Sequence, residues 1–307
     1  MSSFLHVYLP IAGNSVNLLS IIGLGGVVGL LSGIFGVGGG FLMTPLLIMM
    51  GIPPTVAAAS DSNQIVGAST SGTLAHFRLG NVDIRMGLLL LAGGVAGGTV
   101  GVQIIKVLRQ LGNADFFISL TYVLMLGLIG GYMFMESLQS MRTAKRSDPT
   151  RESRYGRFVA SLPWQMNFPR SGIRLSLLMP LALGSLVGVL AAIMGVGGGF
   201  IMVPIMVYLL RMPMHVVVGT SLFQILFTCI DVTIMQSAQN HTVDFVLALL
   251  LLVGSSVGAQ VGAKLGRKLH GDHLKILLAS LVLAVMGKML FDLLAQPAVR
   301  LAYMGGH

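Results

Sequence analysis

Apolar residues occupy long blocks of this chain, at 16–35, 55–77, 84–108 and 115–138, and again at 175–194, 214–237, 243–266 and 273–295. Most blocks have about the 20 residues that a helix needs to cross a hydrocarbon core of ~30 Å. A shorter run follows the first block of each series, at 41–50 and at 200–210. Rising ~1.5 Å per residue, it reaches only about halfway across. A glycine cluster precedes each short run. The pattern therefore predicts a full helix and a half-length helix folded about the glycines as a hairpin, then three spanning helices.

The second series copies the first, which makes the chain a duplication. Gly29–Pro45 and Gly188–Pro204 share 11 identities in 17 positions without a gap, and the phrase GVGGGF stands in both. Asn81-Val82-Asp83 answers to Thr242-Val243-Asp244, and the ladder Gly93, Gly97, Gly101 to Gly254, Gly258, Gly262. Residues 1–139 and 173–307 are expected to be two membrane repeats, joined by a basic linker, 140–172.

Composition and charge refine this picture. Only 9% of the 307 residues are charged and 54% are hydrophobic, whereas a soluble domain carries roughly 25% charged residues. The net charge of +9 does not point to nucleic acid, because eight of the 19 Lys and Arg residues crowd between Arg142 and Arg174. Basic residues collected in loops are what the positive-inside rule expects. If each glycine hairpin enters and leaves on one side, each repeat crosses an odd net number of times and the two face opposite ways. With the linker in the cytoplasm, 15 Lys and Arg then lie inside, including Arg78, Arg85, Arg211, Lys264, Arg267, Lys268 and Lys275, against Lys106, Arg109 and Arg300 outside, with Lys288 in a span. Parallel repeats give about 11 against 7, so the inverted arrangement fits better. The fold expected is an all-α polytopic membrane protein of two inverted repeats, each a glycine-broken hairpin followed by three transmembrane helices.

Cys229 stands alone, so no disulfide framework or thiolate site is expected, and no His or acidic spacing suggests a metal or other cofactor. No positive n-region precedes the first apolar run, so a cleaved signal peptide is not expected.

GVGGGF is a poor nucleotide loop. Phe41 stands where a third glycine belongs, and no Lys-Ser/Thr follows. In lipid it reads differently. A helix starting at Phe41 or Phe200 offers unpaired N–H groups and a positive dipole end. Preceding glycines let the chain turn sharply and let a ligand come close. Together these make an anion site from backbone alone, without a buried Arg or Lys. Close helix packing is the alternative, and it is preferred for the two glycine ladders. For the GVGGG pairs the half-length helix favours a site, since interrupted helices in matching positions mark binding sites in transporters. The candidates are Gly36, Gly38, Gly39, Gly40 and Phe41, and Gly195, Gly197, Gly198, Gly199 and Phe200, with Pro45 and Pro204 structural.

The block 55–77 carries Ser60, Asp61, Ser62, Asn63, Gln64, Ser69, Thr70, Ser71 and Thr73, too polar a set to face lipid. Its partner block keeps Thr220, Ser221, Gln224, Thr228 and Asp231. Hydroxyls and amides donate hydrogen bonds to anion oxygens without adding charge, and interhelical bonding accounts for the same residues without a ligand. Ser62, Gln64, Thr220, Ser221 and Gln224 are the binding candidates near the helix starts. Asp61 and Asp231 are candidate proton carriers, because ionisable groups within spans are functional hypotheses by default. Lys288 and Asp292, four apart, suit a local pair. His76 and His215 sit near block ends, where interface placement competes with proton transfer.

With GVGGGF and a proline four residues on in both halves, each followed by a Ser-bearing helix, the chain resembles the TauE/SafE sulfite exporter family, also called the 4-toluene sulfonate uptake permeases. The resemblance implies a secondary carrier for small sulfur-containing or organic anions, such as sulfite, sulfonates or sulfoacetate, in a bacterial inner membrane, and the charge count places the 140–172 loop in the cytoplasm. Protons are a candidate coupling ion. The family's Thr-Ser is Thr220-Ser221 here, and Asp61-Ser62 is set against it in the first half, a departure that puts an acid beside the expected anion site. An uncoupled anion channel with the same site is the second reading. A membrane-embedded enzyme is the third and weakest, for want of a cluster of acids, bases or nucleophiles.

Overall fold

In the computed structural model, the described residues are 6–35, 40–142, 164–210, 212–266 and 271–295, and they form a helical bundle with two small β-hairpins. The first series is α1 (Leu18–Phe35), α2 (Gly40–Met49), α3 (Pro54–Arg78), α4 (Ile84–Gln110) and α5 (Ala114–Arg142). The second is α6 (Leu178–Met194), α7 (Gly199–Pro204), α8 (Met214–Met235), α9 (Phe245–Gly266) and α10 (Gly271–Ala295). Each helix falls on its expected block, and both short helices are present. Among the described residues, four helical stretches are long and apolar enough to cross a membrane, in α4, α5, α8 and α9, with shorter apolar helices at α1, α2 and α6. Helix α3 is too polar for lipid, and it buries Ser60, Asp61, Ser62, Gln64, Ser69 and Thr73 inside the bundle. Of the expected linker, 143–163 lie outside the described residues, and Gln165–Phe168 already belong to a hairpin.

The two series differ by two single-residue insertions. Equivalent residues are 159 apart at Pro45 and Pro204, 160 apart at Gln64 and Gln224, and 161 apart at Asp83 and Asp244. Each step coincides with a π-helical turn in the second series, at Ile205–Leu209 after α7 and at Gln236–Asn240 after α8. A π turn is how a helix takes in one extra residue. This corrects the gapless pairing of Asp61-Ser62 with Thr220-Ser221. Once the first π turn is counted, Ser60-Asp61 is the equivalent of Thr220-Ser221, and the hydrogen bonds agree. Thr220 Oγ1 accepts from the Asp83 amide at 3.0 Å, and Ser60 Oγ accepts from the Asp244 amide at 3.1 Å.

Those two aspartates fix the helix starts and hold the hairpins. Asp83 Oδ1 accepts from Met86 N and Asp244 Oδ1 from Leu247 N, ordinary N-caps. Their other oxygens reach the hairpins. Asp244 Oδ2 accepts from Ile11 N in the turn between β1 (His6–Leu9) and β2 (Asn14–Asn17). Asp83 Oδ2 accepts from Ser171 N and Oγ in the turn between β3 (Gln165–Phe168) and β4 (Ile173–Ser176). Arg170 adds hydrogen bonds to the Gly80 and Val82 carbonyls. The 27 residues of α4 span about 40 Å. Asp83 caps one end of it, and Arg109 at the other end donates to the Asn240 carbonyl, close in sequence to Asp244. The two hairpins therefore lie at opposite ends of α4.

Helix pairing is reciprocal. α1 packs along α9 and α4 along α6, while α3 meets α8 and α5 meets α10. Glycine explains the two long seams. A Cβ on Gly93 or Gly97 would strike the backbone of Leu181 or Ser185, and one on Gly254, Gly258 or Gly262 would strike Ile22, Gly26 or Leu30. The ladders thus serve close packing, the reading preferred for them. Gly131 of α5 has nothing within 4 Å of where a Cβ would be. Gly97→Val is expected to lower the thermal midpoint sharply in detergent, since overpacking against backbone costs at least ~1–3 kcal/mol. Gly131→Ala should hold or raise that midpoint, by up to ~1 kcal/mol of helix propensity. Heating followed by size-exclusion chromatography measures both.

Candidate functional site

The described end of the first glycine motif meets the second through an aromatic pair. Phe41 and Phe200, equivalent residues at the starts of α2 and α7, stack with ring centroids 4.4 Å apart and planes 6° from parallel. Both are buried. Of the first motif, Gly36, Gly38 and Gly39 lie outside the described residues, and Gly40 opens α2. The second motif is described throughout. Gly195 ends α6 at φ 71°, and Gly197 and Gly198 follow at 68° and 78°. Only glycine adopts that left-handed run without strain. A side chain on Gly195 would also collide with the Ala58 backbone, and one on Gly198 with Val187. Pro45 lies inside α2 and Pro204 closes α7.

Beside the stack is a cavity of about 240 Å³. It reaches from Gly40 and Gly199 at the short-helix starts to His76 near the end of α3. Among the described residues its polar wall is Ser32, Gln64, Ser69, His76, Ser221 and Ser255, with no Asp, Glu, Lys or Arg. Gln64 Nε2 donates to Ser255 Oγ at 2.6 Å, tying α3 to α9, while Gln64 Oε1 has no partner among the described residues. Ser221 Oγ donates back to the Val218 carbonyl at 3.1 Å. His76 Nδ1 lies 3.4 Å from Asn81 Nδ2. The wall suits a small ligand that takes hydrogen bonds from hydroxyl, amide and backbone N–H groups.

Of the binding candidates that the structure describes, Gly40, Gln64, Gly199 and Ser221 line this cavity, and the others described have different surroundings. Ser62 Oγ donates to Ala58 O on its own helix at 3.2 Å. Thr220 accepts from the Asp83 amide, as described above. Gln224 Nε2 donates to Thr228 Oγ1 at 2.9 Å, and both residues are fully buried. Asp61 is fully buried too. Its Oδ2 accepts from Thr44 Oγ1 at 2.9 Å, and its Oδ1 has no partner. Asp231 is half-buried against Gly98 of α4. Lys288 and Asp292 form the local pair that their spacing suggests.

Four wall residues escaped the sequence reading as ligand contacts. Ser69 and His76 were visible as polar positions in α3, but nothing in the sequence said which helix face meets the cavity. Ser32 and Ser255 sit among packing glycines, with the Cβ position of Gly29 against the Ser255 backbone, so their neighbours disguise them.

The family description "Sulfite exporter TauE/SafE" matches residues 21–289. The chain belongs to this family. Among its TauE/SafE-like relatives, a "Probable membrane transporter protein YunE" of Bacillus subtilis (strain 168) is 26% identical over 253 residues, 78% of this chain and 85% of that protein. A "Probable membrane transporter protein YjnA" of the same strain is 27% identical over 240 residues, covering 77% and 85%. "Sulfite exporter TauE/SafE family protein 2" of Arabidopsis thaliana is 31% identical over 93 residues, 30% of this chain and 20% of that protein. These are names of transporters and exporters, not of enzymes. No solved structure matches the chain.

The stack at the centre of this TauE/SafE protein permits a direct test. Phe41→Ala and Phe200→Ala should each destabilise by ~3–5 kcal/mol. The double variant should cost less than their sum by roughly 0.5–1.5 kcal/mol, because the second change finds the stack already gone. Reversible unfolding of the four proteins in mixed micelles measures this coupling.

Proposed function

We propose that the protein is a secondary transporter of small sulfur-containing or organic anions, such as sulfite, sulfonates or sulfoacetate, across a bacterial inner membrane. The anion sits near the midplane, where the two GVGGG motifs meet, and moves by alternating access as the repeats rearrange about that point. The observation that carries this reading is the Phe41–Phe200 stack beside a cavity whose described lining sets hydroxyl, amide and imidazole groups among apolar residues and includes no acidic side chain. Backbone N–H groups at Gly40 and Gly199 supply partial positive charge. Gln64 and Ser221 supply polar contacts. Gly36, Gly38 and Gly39 are proposed to complete the first half of the site.

An inverted arrangement of the repeats is supported by the charge count and by three contacts. Equivalent aspartates, Asp83 and Asp244, are associated with opposite ends of α4, the second through the Arg109–Asn240 contact. Arg170 of the basic linker bonds to carbonyls beside Arg78 and Arg85, so these positive charges share one face. Under the positive-inside rule that face is cytoplasmic. Asp61 is proposed to handle protons, since it is buried in a span with one carboxylate oxygen unpartnered. Asp231, half-buried, is a second candidate.

Purified protein in liposomes, offered sulfite, sulfoacetate, sulfate and a carboxylate under imposed pH gradients, tests the substrate and the coupling together. Uphill movement of a sulfur oxyanion is the expected result. Carboxylate flux alone would overturn the sulfur assignment, and flux that only ever runs downhill, without saturating as substrate rises, would make the protein a channel. Asp61→Asn should remove the dependence on the pH gradient. If that dependence survives, Asp61 is structural. Gly198→Val should abolish flux in protein that still inserts and elutes as a single species, because it disturbs the N-terminus of α7. Normal transport by this variant would remove the backbone site.

A further inference from the structure

The cavity has a counterpart that is sealed. Carrying its wall to the other repeat, at the offsets set by the two π turns, maps Ser69 onto Cys229, Ser221 onto Asp61, Gln64 onto Gln224, His76 onto Gln236 and Ser255 onto Gly94. On the open side, His76, Val203, Val218 and Leu222 keep partial exposure. Their equivalents Gln236, Thr44, Ala58 and Ser62 are all at most 3% exposed. Among the described residues, these positions are therefore accessible on one side and buried on the other.

Particular contacts close the second path. Gln224 folds back on Thr228 of its own helix, because Gly94 stands where Ser255 accepts the equivalent glutamine's hydrogen bond. Gln236 Nε2 donates to the Ala192 carbonyl at 3.3 Å. Thr44 bonds Asp61, and Tyr122 of α5 donates to the Met194 carbonyl at the end of α6. Two polar atoms are left stranded in the seal, Asp61 Oδ1 and Gln224 Oε1. A buried polar atom without a partner is costly. Both atoms are acceptors, so water entering between α3, α4 and α8 would supply the donors they lack.

We propose that Asp61, Gln224, Cys229 and Gly94 line a second access route, closed in this conformation, for the same small oxyanion, leading to the membrane face opposite the one that the open cavity serves. This rests on the transporter reading above. It goes further in naming the walls of the route that is not yet open and in giving that route an acidic side chain that the open one lacks.

Cys229 is the only cysteine in the chain, so the native protein carries its own probe. Oriented proteoliposomes are treated on one side or the other with the anionic, membrane-impermeant thiol reagent sulfonatoethyl methanethiosulfonate, with and without sulfite. Cys229 should react ~10-fold or more faster from one face. Ser69→Cys, in a Cys229→Ser background, should react with the opposite preference. Ser32→Cys in that background serves if the Ser69 variant does not fold. Reaction of both positions from one face overturns the proposal, as does a Cys229 that stays unreactive in liposomes that transport sulfite. Opposite-face labelling in a protein that moves none of the offered anions would uphold the two routes and remove the substrate assignment, so the two failures are distinguishable.

Discussion

At the α1–α9 and α4–α6 seams, carbonyls of one helix lie against α-carbons of the other, because glycines remove the side chains that would hold the backbones apart. Lipid gives helices no hydrophobic reason to associate, so such close van der Waals contact is what holds a membrane bundle together. The pairing is crossed. The first helix of each series lies along the fourth helix of the other, so neither repeat buries its own glycine face by itself. With these seams in place, α3 and α8 are left facing one another across the centre, and the two short helices end between them.

That enclosure is what permits the chain to stop being helical at depth. Three left-handed glycines within four residues, at 195, 197 and 198, turn the backbone out of the helical hydrogen-bond pattern, which hydrocarbon could not satisfy. Here they are walled by Ala58, Val187, Ile225 and Cys229. A broken helix is therefore affordable only in the middle of a glycine-packed frame, and the same frame gives the broken ends a small shared volume.

Much of this was legible in the sequence. The block lengths, the two half-length runs and the placement of α3 inside the bundle all follow from hydropathy and from the cost of polar groups in lipid. The hairpins were not, since four-residue strands such as Gln165–Phe168 carry no periodic signal long enough to read. Site residues divided in the same way. Gly40, Gln64, Gly199 and Ser221, named because motif and polarity coincide there, line the cavity. Thr220 looked the same from sequence but spends its hydroxyl on the Asp83 amide. Whether a polar residue one turn into a helix faces a cavity or a neighbouring cap depends on helix rotation, and composition does not report rotation.

Rotation is also what the two π turns protect. One residue added to a regular helix turns everything beyond it by about 100°, enough to swing Gln224 away from the bundle centre or to carry Asp244 off the Ser60 hydroxyl. By widening locally, the second repeat has grown by two residues while its later helices keep the azimuth of the first. The two copies have been free to drift in length and in side-chain chemistry, and the symmetry that relates them has survived as geometry rather than as sequence.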